Sequence, residues 1–409
     1  MRPIRKTDVH ITGDLAELVC SNSLKSESTD TPTGALKENL AQLDSLIIKL
    51  AKQARVPAGK ALAVDREKLA ASVTEAIETE EDINLIRSEV TEIPVGYDSV
   101  IIATGPLTSD DLAATLQNIL GDTSLYFYDA IAPIVEADSI DPAIAFVQDR
   151  YGEKGIGDYL NLPMSKEEYE TFIDALLAAK TVELREFEKK HYFEGCLPIE
   201  EIARRGRNSL AFGPLKPVGL FDPATERRPH AVIQLRKENI AGDAYNMVGF
   251  QTKLTYPEQE RVFRTIPGMK NVNFLRHGSL HRNTYVNSPE VLNSDLSLKA
   301  APNVRLAGQI TGVEGYVESI TTGLLAGMFA VAEVLGESFE PPPATTTIGA
   351  LLAYIKDQDR KTGFQPTNIN FSLFPPLEEK IKNRKERRRE TLHRAKRDFE
   401  DWVKPEAFK

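Results

Sequence analysis

Cysteine is nearly absent from this chain: 409 residues carry two, Cys20 and Cys196. That count excludes a disulfide scaffold and any multi-cysteine metal or cluster site, so no metal is expected and each thiol has to be weighed alone. A long hydrophobic run is missing as well. The longest, residues 323–335, has 13 residues, short of the ~20 that cross a bilayer, and no membrane span is expected. No apolar block follows the opening Met-Arg-Pro-Ile-Arg-Lys, which argues against a secretory signal and makes the cytoplasm the expected compartment.

What remains is ordinary globular material, 41% hydrophobic and 27% charged, long enough for two to three domains or for one large domain with an insertion. The net charge of −10 hides a segregated distribution. Residues 380–397 hold ten Lys or Arg against two Glu, a local +8 that leaves −18 for the rest. A protein basic all over is excluded, but a basic patch is not.

Leu36, Leu40, Leu43, Ile47 and Leu50 recur at helical spacing and predict one amphipathic helix over 36–53. Residues 15–24 break from an apolar run into small polar residues, predicting a loop with Cys20 at its edge. Alternation predicts strands at 61–64 and 83–90, and 100–103 reads as a buried strand closed by a turn at Gly105-Pro106. A helix is expected over 109–120, then strand and loop over 125–135, where Pro133 interrupts. Residues 151–164 read as loop, and 166–190 as a charged helix with Phe172, Leu176, Leu177 and Leu184 on its apolar side. Strands at 231–235 and 245–254 give this middle stretch an α+β character. An α/β grammar returns at 303–336: a short strand, a Gly-rich turn over 309–315, and a helix over 317–335 with Gly323, Ala326, Gly327 and Ala330 on one face. Residues 341–347 are read as a linker to a basic helix over 380–397.

The turn Gly308-Gln309-Ile310-Thr311-Gly312-Val313-Glu314-Gly315-Tyr316 places glycines where backbone amides could approach an anionic cofactor at a helix N-terminus. The alternative reading is an ordinary packing turn. Residues 276–285 gather two His, two Arg and an amide, a density that suits an anionic ligand, with no role assignable to either His.

Taken together, Leu18-Val19-Cys20-Ser21-Asn22-Ser23-Leu24, Ala103-Thr104-Gly105-Pro106-Leu107-Thr108-Ser109, Phe193-Glu194-Gly195-Cys196-Leu197-Pro198, Asn283-Thr284-Tyr285 and the 308–316 turn resemble the folate- and FAD-dependent tRNA (uracil-5-)-methyltransferase family, TrmFO, from Met1 to about Pro376. The resemblance implies an α/β flavin-binding domain of the glutathione-reductase type, made of residues 1–109 and 300–355. An inserted α+β domain over 110–299 and a C-terminal extension over 356–409 complete the expected organisation. It also implies ribothymidine formation in the tRNA T-loop, with carbon from methylenetetrahydrofolate and reducing equivalents from NAD(P)H through FAD. Members of the family open with a strand, a Gly-x-Gly-x-x-Gly turn and a helix that hold the ADP half of FAD. This chain starts at Met1-Arg2-Pro3, which resembles the sequence just beyond the second strand. The FAD domain is therefore expected to be truncated at its N-terminus by roughly 30 residues, one β-α-β unit without its closing strand.

The implied site is Cys196 as the thiolate that adds to uracil C6, with Cys20 either a second active-site thiol or a packing residue. Cofactor contacts are expected from Thr104, Gly105, Gly308, Gln309, Gly312, Gly315 and Tyr316, and substrate contacts from Arg276, His281, Arg282, Asn283 and Tyr285. Arg204, Arg205, Arg207, Lys385 and Arg388 are expected to meet tRNA phosphates. Two rivals stand beside this reading: a related flavoprotein that modifies the wobble uridine, and a non-catalytic tRNA-binding protein without FAD.

Overall fold

A computed structural model describes residues 10–121, 124–150, 152, 153, 155–182, 197–357, 359 and 364–404, without the side chains of 124–131 and 280–283. Two hydrophobic cores organise these residues. The first draws on residues from both ends of the chain, among them Leu36, Leu62, Leu306, Ala326, Leu351 and Phe399. Leu112, Leu116, Tyr285, Val286, Val291 and Leu298 belong to it too, so parts of 110–120 and 285–299 pack with the first core and not with the insert. The second core is drawn from residues 132–272, with Tyr169, Phe172, Ile233, Phe250 and Phe263 fully buried.

In the first core, strand Ala301–Leu306 lies between strand Ser297–Leu298, antiparallel, and strand Val100–Ile102, parallel and in register Val304 to Val100. Successive side chains of Val100–Ile102 point to opposite faces, so Ile102 is buried while Ile101 is 40% exposed, against the expectation of a fully buried strand. A second small sheet orders Ser23–Ser26, Ala61–Val64 and Arg55–Val56, antiparallel throughout. Strands Ser124–Ile131 and Ser279–Val286 form an antiparallel ribbon between the two cores in sequence. The insert is a six-stranded antiparallel sheet in the order Phe274–Arg276, Ile134–Glu136, Ala244–Met247, Ala231–Lys237, Leu160–Met164, Phe146–Val147. Helix Lys166–Leu177, closed by a full capping box at Ser165 and Glu168, joins its core.

Several elements depart from their sequence pattern. The helix expected over 36–53 is two, Pro32–Gln42 and Leu46–Gln53. Asp44 between them is left-handed, with φ 52°, a conformation that short polar residues tolerate best. Residues 83–90 form no strand: Ile83, Ile86 and Val90 are exposed, so their alternation has no partner strand to bury it. Within the expected loop 151–164, Leu160–Met164 is a strand containing Pro163. Strand Phe146–Val147 pairs only with Leu160 and Asn161, so the missing Pro163 N–H faces no ladder. The strand expected over 245–254 stops at Met247. The helix expected over 166–190 ends at Leu177, and Leu184 lies outside the described residues. The expected linker 341–347 instead caps a buried helix, Thr347–Ile355, with Thr346 accepting from Gly349 N.

Helix Tyr316–Leu335 has 20 residues, more than the 13-residue run suggested, and is long and apolar enough to cross a membrane by length and composition; half of its most apolar window is buried inside the protein. The basic helix runs Arg384–Trp402, capped by Asn383 and anchored by Thr391, Leu392, Ala395 and Phe399.

Candidate active site

Cys20 lies where the two cores meet. Tyr316, at the start of helix Tyr316–Leu335, reaches 296 positions back along the chain: its hydroxyl accepts from Cys20 N (3.0 Å) and Ser21 N (3.4 Å) and donates to Cys20 Sγ (3.4 Å). Burial, reinforced by the Cys20 sulfur, raises the tyrosine far above its ordinary value, so it stays a proton donor to the sulfur. The loop 18–22 is gripped on its other sides by three arginines. Arg66 Nη1 donates to Leu18 O (2.7 Å), Arg276 Nη2 to Val19 O (2.9 Å), and Arg236 to Ser21 Oγ and Asn22 Oδ1 (both 2.9 Å). Glu238 ion-pairs with Arg66. Burial pulls the Arg236 and Arg276 guanidiniums down and pushes the Glu238 carboxyl up. Three cations against one carboxylate leave a positive surplus beside the thiol, and such surroundings favour the nucleophilic thiolate.

Only Arg276 of this grip was in the sequence-based set, and its guanidinium is spent on the loop backbone. Arg66, Arg236, Glu238 and Asn22 were missed. One signal was available: Arg236 and Glu238 close the otherwise apolar run Ala231-Val232-Ile233 and are themselves buried, and buried charge in a strand marks a pairing or a site.

Cys196 lies outside the described residues, but the residues on either side of its segment are held together. Val182 N donates to Lys253 O (2.8 Å) and Ile199 N to Gln251 O (2.7 Å). Glu200, wholly buried, accepts from Lys253 N (2.8 Å) and Thr252 Oγ1 (2.9 Å). Its carboxyl is pushed up by burial, against these hydrogen bonds.

The expected cofactor residues divide into two groups. Gly105 and Gly308 follow the carboxyl ends of the parallel strands Val100–Ile102 and Ala301–Leu306, with φ +71° and +77°. A Cβ at Gly105 would meet nothing within 4 Å, and one at Gly308 only the Ser319 side chain at 3.8 Å. The space beyond them is open. Thr104 is exposed and shares a hydrogen bond with Thr108 (2.7 Å), and helix Tyr316–Leu335 starts with no side-chain cap. The other glycines are consumed internally. A Cβ at Gly312 would stand 2.4 Å from the Phe364 ring, and one at Gly315 2.3 Å from Glu318 Oε2 and 2.7 Å from Lys25 Nζ. Gln309 Nε2 binds Glu314 Oε2 (2.9 Å) and so braces the turn itself. Open glycines and an uncapped helix N-terminus at the carboxyl ends of parallel strands fit a flavin, whose anionic and carbonyl groups such amides bind.

Of the expected substrate residues, Tyr285 is 1% exposed and packs on Phe364. It is a core tyrosine, pushed up to about 12 by burial. His281, Arg282 and Asn283 pair by backbone with Asp129, Tyr128 and Phe127; their side chains lie outside the described residues. Among the expected tRNA contacts, Arg207 is bound by Glu170 (2.6 Å) and Asp174 (2.7 Å), and Arg204 by Glu201 (2.6 Å). Arg205 ends the same short helix, Ile199–Arg205. Lys385 and Arg388 are exposed on the basic helix, Arg388 stacked 4.8 Å over Phe371. Among the described residues no group of three or more His, Cys, Asp or Glu could hold a metal ion.

The chain as a whole is similar to known proteins. A sequence model of the family described as Glucose inhibited division protein A matches residues 6–338. The chain is 52% identical over 407 residues to "Methylenetetrahydrofolate--tRNA-(uracil-5-)-methyltransferase TrmFO" of Koribacter versatilis, covering 98% of this chain and 91% of that protein. It is 55% identical over 403 residues to the protein of the same name from Geobacter sulfurreducens, covering 98% and 92%. Among solved structures, Aquifex aeolicus GidA matches with a TM-score of 0.66 in one crystal form, at 14% identity and covering 96% of this chain and 68% of that one. A second crystal form gives 0.64 at 16% identity, covering 96% and 71%. This supports the flavoprotein-type α/β fold with an insertion read from the sequence, and the chain belongs to the Glucose inhibited division protein A family, among its TrmFO members.

Proposed function

We propose that this protein methylates uracil C5 in the T-loop uridine of tRNA, taking the carbon from methylenetetrahydrofolate. The observation that carries the reading is the Cys20–Tyr316 contact beside two open glycines at the carboxyl ends of parallel strands. The printed name of relatives more than 50% identical over 98% of the chain supports the reaction. FAD, when bound, supplies the electrons that take the transferred carbon to the methyl level, and NAD(P)H is its proposed source of reducing equivalents. Thr104, Gly105, Gly308 and the amides at the start of helix Tyr316–Leu335 hold the flavin, while Gln309, Gly312 and Gly315 shape the turn.

Uracil C5 is a weak nucleophile. The Cys196 thiolate forms a bond to C6, and the C5=C6 electron pair moves to C5, which attacks the folate methylene carbon as one of its two bonds to folate nitrogen opens. Loss of the C5 proton expels the second folate nitrogen and leaves an exocyclic methylene on C5; its two-electron reduction to methyl restores the C5=C6 bond as the thiolate leaves C6. Cys20, in its positive surroundings, is the second thiol of the site. Arg282, His281 and Asn283 are the proposed substrate contacts, and Lys385 and Arg388 on the exposed face of helix Arg384–Trp402 bind tRNA phosphates. Cytoplasm is the proposed compartment. The test is Cys196→Ala: methyl transfer should disappear while tRNA affinity stays within about twofold, and an active variant would refute the assignment.

A further inference from the structure

Arg236 belongs to the insert, yet its guanidinium ends on the other domain. It is 6% exposed, and its Nε and Nη2 donate to Asn22 Oδ1 and Ser21 Oγ, the two residues after Cys20. Asn22, with no exposed surface, returns the contact: its Nδ2 donates to Lys237 O (3.0 Å) at the end of the same strand, to Glu238 O (3.2 Å) just after it, and to Val64 O (3.1 Å) of the first core. One asparagine is thus bonded to both domains, and one arginine fixes its orientation. Cys20 itself is held from the far side by the Tyr316 hydroxyl. A loop pinned by backbone to Tyr316 and by side chains to Arg236 has its thiol position set by how the insert docks.

We infer that Arg236 is a positioning residue for the Cys20 thiol: through Ser21 and Asn22 the inserted domain sets where Cys20 Sγ sits against Tyr316. The groups facing the thiol loop are Arg66 from helix Arg66–Glu78, Arg236 from strand Ala231–Lys237 and Glu238 just after it, Arg276 from strand Phe274–Arg276, and Tyr316. Arg236 alone among them binds two consecutive side chains of the loop. Replacing it withdraws one cation and both of those bonds, while Arg66, Arg276 and Tyr316 keep their hold on Leu18, Val19 and Cys20. This rests on the proposed function only in giving Cys20 a place in the reaction; the geometry is independent of it.

Because the chain has two cysteines, a Cys196→Ser protein carries Cys20 as its only thiol. In that protein, iodoacetamide alkylation of Cys20 is followed from pH 5 to 10 for Arg236, Arg236→Lys and Arg236→Gln, with circular dichroism as the check on folding. Arg236→Gln should move the rate profile about one pH unit higher, a roughly tenfold slower reaction at neutral pH, and Arg236→Lys should restore most of it. With Cys196 present, Arg236→Gln should lower kcat while the KM for tRNA stays unchanged. Ser21→Ala removes only the hydroxyl that Arg236 holds and should slow alkylation about two- to threefold, which decides the matter if Arg236→Gln fails to fold. Unchanged profiles in a folded Arg236→Gln, or in Ser21→Ala where Arg236→Gln does not fold, overturn the inference. A shifted profile in a protein whose parent makes no methylated uridine leaves the positioning intact and removes the proposed function instead.

Discussion

Gly312→Ala separates what the glycine-rich turn does for the fold from what it does for a cofactor. Gly312 has φ +80°, and a Cβ there would lie 2.4 and 2.6 Å from two carbons of the Phe364 ring. That ring is 1% exposed and packed between Tyr285 and Tyr354, so it has nowhere to move. Two costs add. A side chain in the left-handed region costs ~1–2 kcal/mol, and overpacking a full core site costs ~1–3 kcal/mol. The sum, about 2–5 kcal/mol, is large against the usual margin of ~5–15 kcal/mol. Urea unfolding of the apoprotein should register it with no flavin present. Phe364→Leu in the same chain should relieve the steric part and leave the backbone part, giving a favourable coupling of about 1–2 kcal/mol in a double-mutant cycle. A Gly312→Ala protein within about 0.5 kcal/mol of the parent, or a cycle with no coupling, would refute the packing explanation and return Gly312 to the cofactor.

Other perturbations follow from the same geometry. Arg305, 2% exposed, ties Asp295 (2.8 Å), Glu333 (2.6 Å) and Ser99 (3.0 Å) together. Burial raises the Asp295 carboxyl, but hydrogen bonds from Ser297 and the Arg305 charge prevail and hold it below its ordinary value. Its contribution is therefore present above pH ~4 and lost as pH falls through the folded value, and Arg305→Met should flatten the acid limb of a stability–pH curve. Lys37 is buried with its amine on Leu24 O and Lys25 O, and burial brings it from 10.5 to about 8. Between these values the unfolded chain binds the extra proton, so stability should rise with pH from about 8 to 10.5, and Lys37→Met should abolish that rise in melts taken across the window. On the basic helix, Lys385→Glu with Arg388→Glu should reduce the slope of log Kd for tRNA against log salt by about 2, at ~0.9 per phosphate contact. Arg207→Gln, already ion-paired in the parent, should leave it unchanged.

How much of this was readable beforehand depended on how local each feature is. The Ser109-capped helix Asp110–Leu120 and the strand, turn and helix from Ala301 to Leu335 are written in short-range periodicity and turn residues, and they formed close to where those signals lie. The break at Asp44 was missed because Leu36 to Leu50 keeps one helical period across two helices, and only the left-handed aspartate separates them. Residues 83–90 carry alternation without a partner, a tertiary fact that no local pattern contains. At the site, Tyr316 and the glycines were legible as a turn, but the reason for Gly312 lies in Phe364, 52 positions on, and that for Gly315 in Glu318, three positions on, with its partner Lys25, 290 positions back. Arg276 stood in the basic run 276–285 and Arg236 in an apolar strand, but the convergence of these two with Arg66 on loop 18–22 exists only once the chain is folded.

The central claim is the reaction itself. The most direct measurement incubates the protein with unmodified tRNA, reductant and methylenetetrahydrofolate carrying an isotopic label on its one-carbon unit, followed by mass spectrometry of the nucleosides. The account expects labelled 5-methyluridine from the T-loop position, and none when S-adenosylmethionine replaces the folate. Flavin-loaded protein that binds tRNA but transfers no labelled carbon to uridine would contradict it.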